Sequence, residues 1–279
     1  MKDLDQRVAV VTGAASGIGR GMADAFAAHG MKLVVADIEA KRLDSTINEL
    51  KASGAEVVGQ VVDVSDSAAV TELAELAYSA FGEVNIVCNN AGVAENNLPT
   101  WELSLDDWRW VTEINLMGVV HGIHEFVPRM LESGAPGHVV NTASVGGMVS
   151  GLALAAYTAS KHAVVGLSEC LYNDLARRNT QVSASVLCPG WVNTDIGESD
   201  RNRKDKPELN EKLSRSREHF KQSLSAGIDP REVGEIVANG VKENRFYLFT
   251  HPHWNYAIED RFSAIKDGMR PASTYLPRE

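Results

Sequence analysis

A basic surface is what this chain most clearly lacks: 27 lysines and arginines stand against 37 aspartates and glutamates, giving a formal charge of −10 and an isoelectric point near 5.3. Such a balance repels nucleic acid and anionic lipid, so neither is an expected partner. Long apolar runs are missing too, and none approaches the about 20 residues that cross a bilayer. The opening stretch MKDLDQRVAVVT carries acids before its first apolar run and no small-residue cleavage site, which argues against a secretory signal. Cysteine is scarce and odd in number: Cys88, Cys170 and Cys188 each lie beside apolar segments. They read as reduced core thiols rather than disulfide partners, which suits a cytoplasmic protein. Repeats and low-complexity segments are also absent.

What is present is a composition of 44% hydrophobic and 23% charged residues over 279 positions, the make-up of one large α/β domain. Short β-branched runs at 7–12, 32–37, 56–63, 84–90, 137–144, 181–188 and 245–250 read as strands. Helical patterns fill 17–29, 40–53, 66–81, 104–132, 157–178 and 230–243. This alternation predicts a single Rossmann-like α/β domain over 1–279, a doubly wound sheet of seven parallel strands. A polar insertion at about 191–229 and a tail at about 251–279 complete the chain. Between 195 and 229 eight acids and eight bases crowd together without a strand, and Leu209, Leu213, Phe220 and Leu224 share one helical face. A helix there is either a lid over a pocket or a permanently docked element.

Between the first strand and the first helix stands TGAASGIG, with Gly13, Gly17 and Gly19. Glycines allow a tight turn and close backbone approach to a pyrophosphate, and the helix start that follows offers free N–H groups and a positive dipole end. The stretch lacks the terminal Lys-Ser/Thr of a nucleotide-hydrolysing loop, which favours a dinucleotide over ATP. Asp37 ends the second strand, 18 residues beyond Gly19, where a carboxylate accepts hydrogen bonds from ribose hydroxyls and repels a 2′-phosphate. NAD is therefore expected over NADP. Lys41 and Arg42, one turn on, would offset that repulsion only in part and read as exposed helix charges.

Tyr157 and Lys161 lie four apart in YTASK, on one face of a helix. A tyrosine titrates near ~10, and a neighbouring ammonium favours the phenolate, so the pair is expected to lower the phenol's pKa.

In order and spacing, TGAASGIG, Asp63 with Val64, NNAG at 89–92, Asn115, Ser144, the Tyr157/Lys161 pair and PGWVNT at 189–194 resemble the classical short-chain dehydrogenases/reductases, over about residues 5–250. The resemblance implies reversible hydride transfer between a secondary alcohol or its ketone and a nicotinamide cofactor. It implies a cofactor cradle of Gly13, Ser16, Gly17, Ile18 and Gly19, with Asp63 and Val64 at the adenine. Asn89, Ala91 and Gly92 would line the cofactor after the fourth strand, Pro189, Gly190 and Val192 would also contact it, Thr194 would meet the nicotinamide carboxamide, and Asn90 would tie strands together. Tyr157 would exchange a proton with the reacting oxygen and Lys161 would stabilise its phenolate and hold the nicotinamide ribose. Ser144 would position the oxygen, and Asn115 would hold a water through its backbone, or else satisfy an irregular helix.

Other features carry less. His121 and His124 lie on one helix without an HExxH pattern or acid pair, so no catalytic metal is expected. His162 points to a different face from Lys161. The substrate loops, 93–99, 145–156 and 190–228, offer Val145, Met148, Val149, Leu152, Trp191 and Phe220 as walls and no arginine pair for a dicarboxylate. A bulky apolar or aromatic secondary alcohol is the favoured small-molecule substrate. The tail FTHPHWNYAIEDRFSAI is similar to family members acting on aryl alcohols and lignin-derived aryl ketones. A hydroxysteroid or small alcohol remains the alternative, and an epimerase, a lyase or a non-catalytic NAD-binding sensor are readings of another class. By resemblance the chain is expected to form a homo-oligomer, a dimer or tetramer.

Overall fold

A computed structural model of the chain describes residues 1–150, 154–203 and 211–271. Runs such as VAVVT and KLVVAD carry consecutive apolar residues, as strands covered on both faces do. They form β1 (Val8–Thr12), β2 (Lys32–Asp37), β3 (Val57–Val61), β4 (Ile86–Asn89), β5 (Gly137–Thr142), β6 (Val182–Cys188) and β7 (Tyr247–Phe249). Each lies inside its predicted run. All pair in parallel, in the order β3-β2-β1-β4-β5-β6-β7. The chain winds outward from β1 to β3, then returns to β4 and winds the other way. Loops leaving β1 and β4 therefore part at their carboxyl ends and open a crevice.

The helices are α1 (Gly17–Ala28), α2 (Ala40–Ala52), α3 (Ser67–Phe81), α4 (Leu105–Thr112), α5 (Gly118–Ser133), α6 (Ala155–Arg177), α7 (Glu211–Ser225), α8 (Pro230–Glu243) and α9 (Asn255–Lys266). None of the described helices is long and apolar enough to cross a membrane. Side chains alternate across the sheet: Ala9, Val11 and Leu33 pack with Met22, Phe26 and Val237 on one face. Val8, Val10 and Val34 pack with Leu73, Phe126 and Met130 on the other. Each large side chain so buried contributes about 1.5–3 kcal/mol.

Buried asparagine, serine and histidine side chains pair across this core. Asn89 Nδ2 donates to Asn141 Oδ1 at 2.9 Å, Asn141 Nδ2 donates to Ser168 Oγ at 3.0 Å, and Ser168 Oγ donates to the Val164 carbonyl at 2.7 Å. That chain joins β4 to β5 and β5 to α6. A second chain joins β5 to β6: His138 Nε2 meets Ser185 Oγ at 2.6 Å, and Ser185 Oγ donates to the Arg245 carbonyl.

The structure differs from the sequence reading in three places. The helix expected over 104–132 is broken, because a π turn at Glu113–Met117 separates α4 from α5. Asn115, fully buried in that turn, accepts from the Val93 N–H and donates to the Val93 carbonyl and Ser160 Oγ. The turn continues the helical path through EINLM with no proline or glycine inside it, so no local breaker marks it in the sequence. The tail holds α9, and a 3₁₀ stretch occupies Asp195–Asn202. Cys170 is exposed on α6, unlike the buried Cys88 and Cys188. Leu152 and Leu209 fall outside the described residues.

Candidate active site

The crevice between β1 and β4 is a cavity of about 400 Å³. Its floor is the glycine turn after β1. Gly13 and Gly17 adopt φ of 65° and 51°, a left-handed backbone that disfavours side chains. A Cβ at Gly17 would come within 2.9 Å of the Thr194 Cγ2, and one at Gly13 within 2.9 Å of the Ala91 Cα. Ser16 gives α1 no side-chain cap, so the helix start opens onto the groove with unsatisfied N–H groups. Gly19 lies deeper, packed against the Gly13 carbonyl. Ser16, Gly17, Ile18, Asp37, Asp63, Val64, Ala91, Gly92, Pro189 and Thr194 all line the groove.

Asp37 is buried at the end of β2. One carboxylate oxygen accepts from the Ala15 N–H at 2.9 Å and the other from the Glu39 N–H at 3.0 Å. Asp63 accepts from the Ser65 N–H and hydroxyl at 3.0 and 2.6 Å. Asn89 does not reach the groove, because strand alternation turns it into the sheet interior, where it bonds Asn141. Its neighbour Asn90 does face the groove, and its Nδ2 donates to the Thr12 carbonyl while its Oδ1 accepts from Thr142 Oγ1, tying β1, β4 and β5 together.

Tyr157 and Lys161 lie in the first turns of α6, with Lys161 Nζ 5.6 Å from the Tyr157 ring centre. Lys161 Nζ donates to the Thr142 carbonyl at 2.8 Å. Ser144 follows β5 in extended conformation, and its Oγ accepts from the Gly146 N–H at 2.9 Å. The expected depression of the phenol's pKa is not found. Burial pushes Tyr157 up to about 12; hydrogen bonding with Ser144 opposes the rise, and the Glu95 carboxylate adds to it. Burial likewise brings Lys161 down to about 8. Desolvation outweighs the i,i+4 pairing in this setting.

Tyr157 also faces a second, mostly apolar cavity of about 150 Å³ that shares Ile18, Pro189, Thr194 and Ile196 with the groove. Val145, Val149, Trp191 and Phe220 form its walls together with Gly190 and Val192. Gly190 and Val192 line this cavity rather than the groove. The Trp191 and Phe220 rings meet edge to face, 5.7 Å apart. Met148 is not part of this wall and packs instead against the buried cluster that includes Val119 and Val164. Sequence reasoning missed Leu154, Ile196, Trp254, Tyr256 and Ala257 as walls. The His/Trp/Tyr cluster at 251–256 was the available signal, since aromatics in a polar tail ask for a surface to cover. His121 Nδ1 meets the Val64 carbonyl, His124 Nδ1 meets Glu125, and His162 Nδ1 meets the Thr158 carbonyl. None of the three lines either cavity.

A groove with a glycine floor, an acid at the end of β2 and a phenol at the junction with an apolar pocket is a pattern with close relatives. The family model for short chain dehydrogenase matches residues 7–205. A CLA biosynthesis dehydrogenase/reductase of Lactiplantibacillus plantarum is 35% identical over 274 residues, covering 95% of each chain. The C alpha-dehydrogenase of Sphingobium sp. strain SYK-6 is 32% identical over 276 residues, 97% of this chain and 89% of that one. The crystal structure of a short chain dehydrogenase/reductase from Burkholderia phymatum in complex with NAD superposes with a TM-score of 0.95 at 39% identity, covering 99% of this chain and 100% of the other. Sequence, fold and crevice thus agree that the chain belongs to the short-chain dehydrogenase/reductase family, oxidoreductases that act on alcohol and carbonyl substrates with a nicotinamide cofactor.

Proposed function

We propose that this enzyme interconverts a secondary alcohol and its ketone with NAD(H), and that its substrate is bulky and largely apolar or aromatic. The observation that carries the reading is the place of Tyr157, at the junction of the groove and the apolar pocket. A proton donor there reaches an oxygen held between cofactor and substrate.

The residues fit a dinucleotide. Gly13 and Gly17 hold the left-handed turn tight against Ala91 and Thr194, and the uncapped start of α1 offers N–H groups to a pyrophosphate. Asp37 would accept from ribose hydroxyls, which supports NAD over NADP. When bound, the nicotinamide supplies or takes the hydride. Tyr157 gives its proton to the carbonyl oxygen in reduction and removes the hydroxyl proton in oxidation. Ser144 holds that oxygen in place. Lys161, anchored on the Thr142 carbonyl, would hold the nicotinamide ribose. Asn115 fixes the loop after β4 through Val93, so Gly92 stays beside Lys161 Nζ.

The apolar walls of the second cavity support a large hydrophobic group beside the carbonyl, and α7 with Phe220 would form a lid over it. The tail similar to aryl-alcohol family members points the same way. We also read the enzyme as a homo-oligomer, on family resemblance, which light scattering tests. The decisive experiment is an initial-rate survey of aryl, steroid and small alcohols and ketones with NAD(H) and NADP(H). Stoichiometric cofactor turnover by wild type, lost by about 10²–10⁴-fold in Tyr157→Phe, is the expected result. Substrate consumption without cofactor turnover would favour a lyase or epimerase.

A further inference from the structure

Glu95 lies outside every motif in the sequence, on the loop leaving β4, and is 6% exposed. Its carboxylate spans the start of α6: Oε1 accepts from the Ala156 N–H at 2.9 Å, and both oxygens accept from the Tyr157 N–H, at 3.2 and 3.1 Å. Leu154, the residue before α6, provides no side-chain cap. A helix start is normally capped by a neighbouring Ser, Thr, Asp or Asn at little desolvation cost. Here a buried carboxylate 61 positions upstream of Ala156 takes that role. Burying a carboxylate is unfavourable unless donors surround it. The arrangement does something a local cap does not: it ties the loop that follows Asn89–Gly92 to the turn that carries the phenol.

We propose that Glu95 is a positioning residue of the proton-transfer site: its carboxylate fixes the first turn of α6 against the β4 loop and so holds the Tyr157 phenol in register with Ser144. The proposal rests on Tyr157 being the proton donor.

The electrostatic surroundings agree with it. Tyr157 faces Ser144, Lys161, Cys188 and Glu95, and Glu95, after burial, is among the groups that oppose its ionisation. Burial raises the pKa of Glu95 itself, the N–H groups of Glu95, Tyr157 and Ala156 counter the rise, and Asp107 on α4 adds to it. Arg203, ion-paired to Asp107, and Arg217 on α7, ion-paired to Asp200, line the small cavity on the far side of Glu95. Removing the Glu95 charge takes away a group that disfavours the phenolate.

Two substitutions separate geometry from charge. Glu95→Gln keeps the length and one acceptor and removes the charge; Glu95→Asp keeps the charge and falls one methylene short. Each is measured by the pH profile of alcohol oxidation and by near-ultraviolet titration of the phenolate, taken as the difference from the matching Tyr157→Phe protein. The titration needs no turnover. Glu95→Gln should move both the alkaline rise in rate and the phenolate transition to lower pH. Glu95→Asp should leave both near their wild-type pH and lower kcat about tenfold with KM little changed, since small misplacements are expensive in a preorganised site. Wild-type profiles and rates in both variants would overturn the proposal, and so would activity lost only in step with melting temperature while the phenolate transition stays put. If wild type oxidises no alcohol at all, the proposed reaction fails, and the phenolate titration still decides whether Glu95 controls Tyr157.

Discussion

Arg42 and Asp195 meet across the mouth of the cofactor groove, Nη1 to Oδ2 at 2.8 Å. Glu39 joins them: its carboxylate takes Arg42 Nε at 3.4 Å and Arg201 Nε and Nη2 at 2.9 and 2.6 Å. Arg201 Nη1 donates back to the carbonyls of Asp195 and Glu198 at 3.1 Å. The start of α2 is thereby fastened to the 3₁₀ stretch Asp195–Asn202 on the other side of the groove.

Arg201→Ala should loosen that fastening. Half-exposed ion pairs contribute only about 0–1 kcal/mol each, but Arg201 also ties two carbonyls. We expect the Kd for NAD to rise about 3- to 10-fold, with kcat nearly unchanged, in a calorimetric titration. The weakening should exceed that of Arg42→Ala, whose side chain is 43% exposed.

Asp37→Ala removes the acid at the end of β2 together with its hold on the Ala15 N–H. The ratio of kcat/KM for NAD over NADP should fall by about 10-fold or more, an interaction of about 1.4 kcal/mol. A wild-type preference for NADP would refute the assignment outright.

Val149 is 6% exposed and forms part of the apolar pocket wall. Val149→Phe should fill that space and lower kcat/KM for bulky aryl ketones by about 10–200-fold, the range for steric discrimination in an apolar pocket. Small cyclic ketones should be affected much less. Paired assays of both substrate sizes check this.

His138, 1% exposed, is pushed down to about 3 from 6.5 by burial. Ser185 Oγ gives its proton to the Arg245 carbonyl, so His138 Nε2 must donate to Ser185. The folded protein keeps this imidazole neutral while the unfolded chain protonates it near 6.5. Its contribution to stability is therefore fully present above 6.5 and is lost as pH falls toward 3, by about 1.4 kcal/mol per pH unit. Urea unfolding at neutral and mildly acidic pH should show that slope, and His138→Gln should remove its share of it.

Strands and the glycine turn were legible because their signals are local: Val-rich runs, and glycines where φ is positive. Tyr157, Lys161 and Ser144 could be placed because their elements follow directly from those runs. Glu95 was illegible for the opposite reason. It reaches the site across a separation of 61 residues and sits at no spacing that periodicity detects. The phenol's environment was misjudged because an i,i+4 pair announces attraction, whereas the depth of burial that outweighs it is a property of the assembled fold. Asn89 shows the same limit: a motif says which residues recur, but strand alternation decides which of two adjacent asparagines meets the groove.

The Asn89–Asn141–Ser168 chain carries a lesson for anyone redesigning this enzyme. Its three members each hand a proton to the next acceptor, so replacing one with an apolar residue strands its neighbours in a dry interior at about 1–3 kcal/mol apiece. A library that varies these positions singly should therefore return almost nothing, whereas one that randomises the trio together can reach an all-apolar solution of similar volume. The route from this core to another runs through a simultaneous change, which makes the trio a historical anchor as much as a mechanical one.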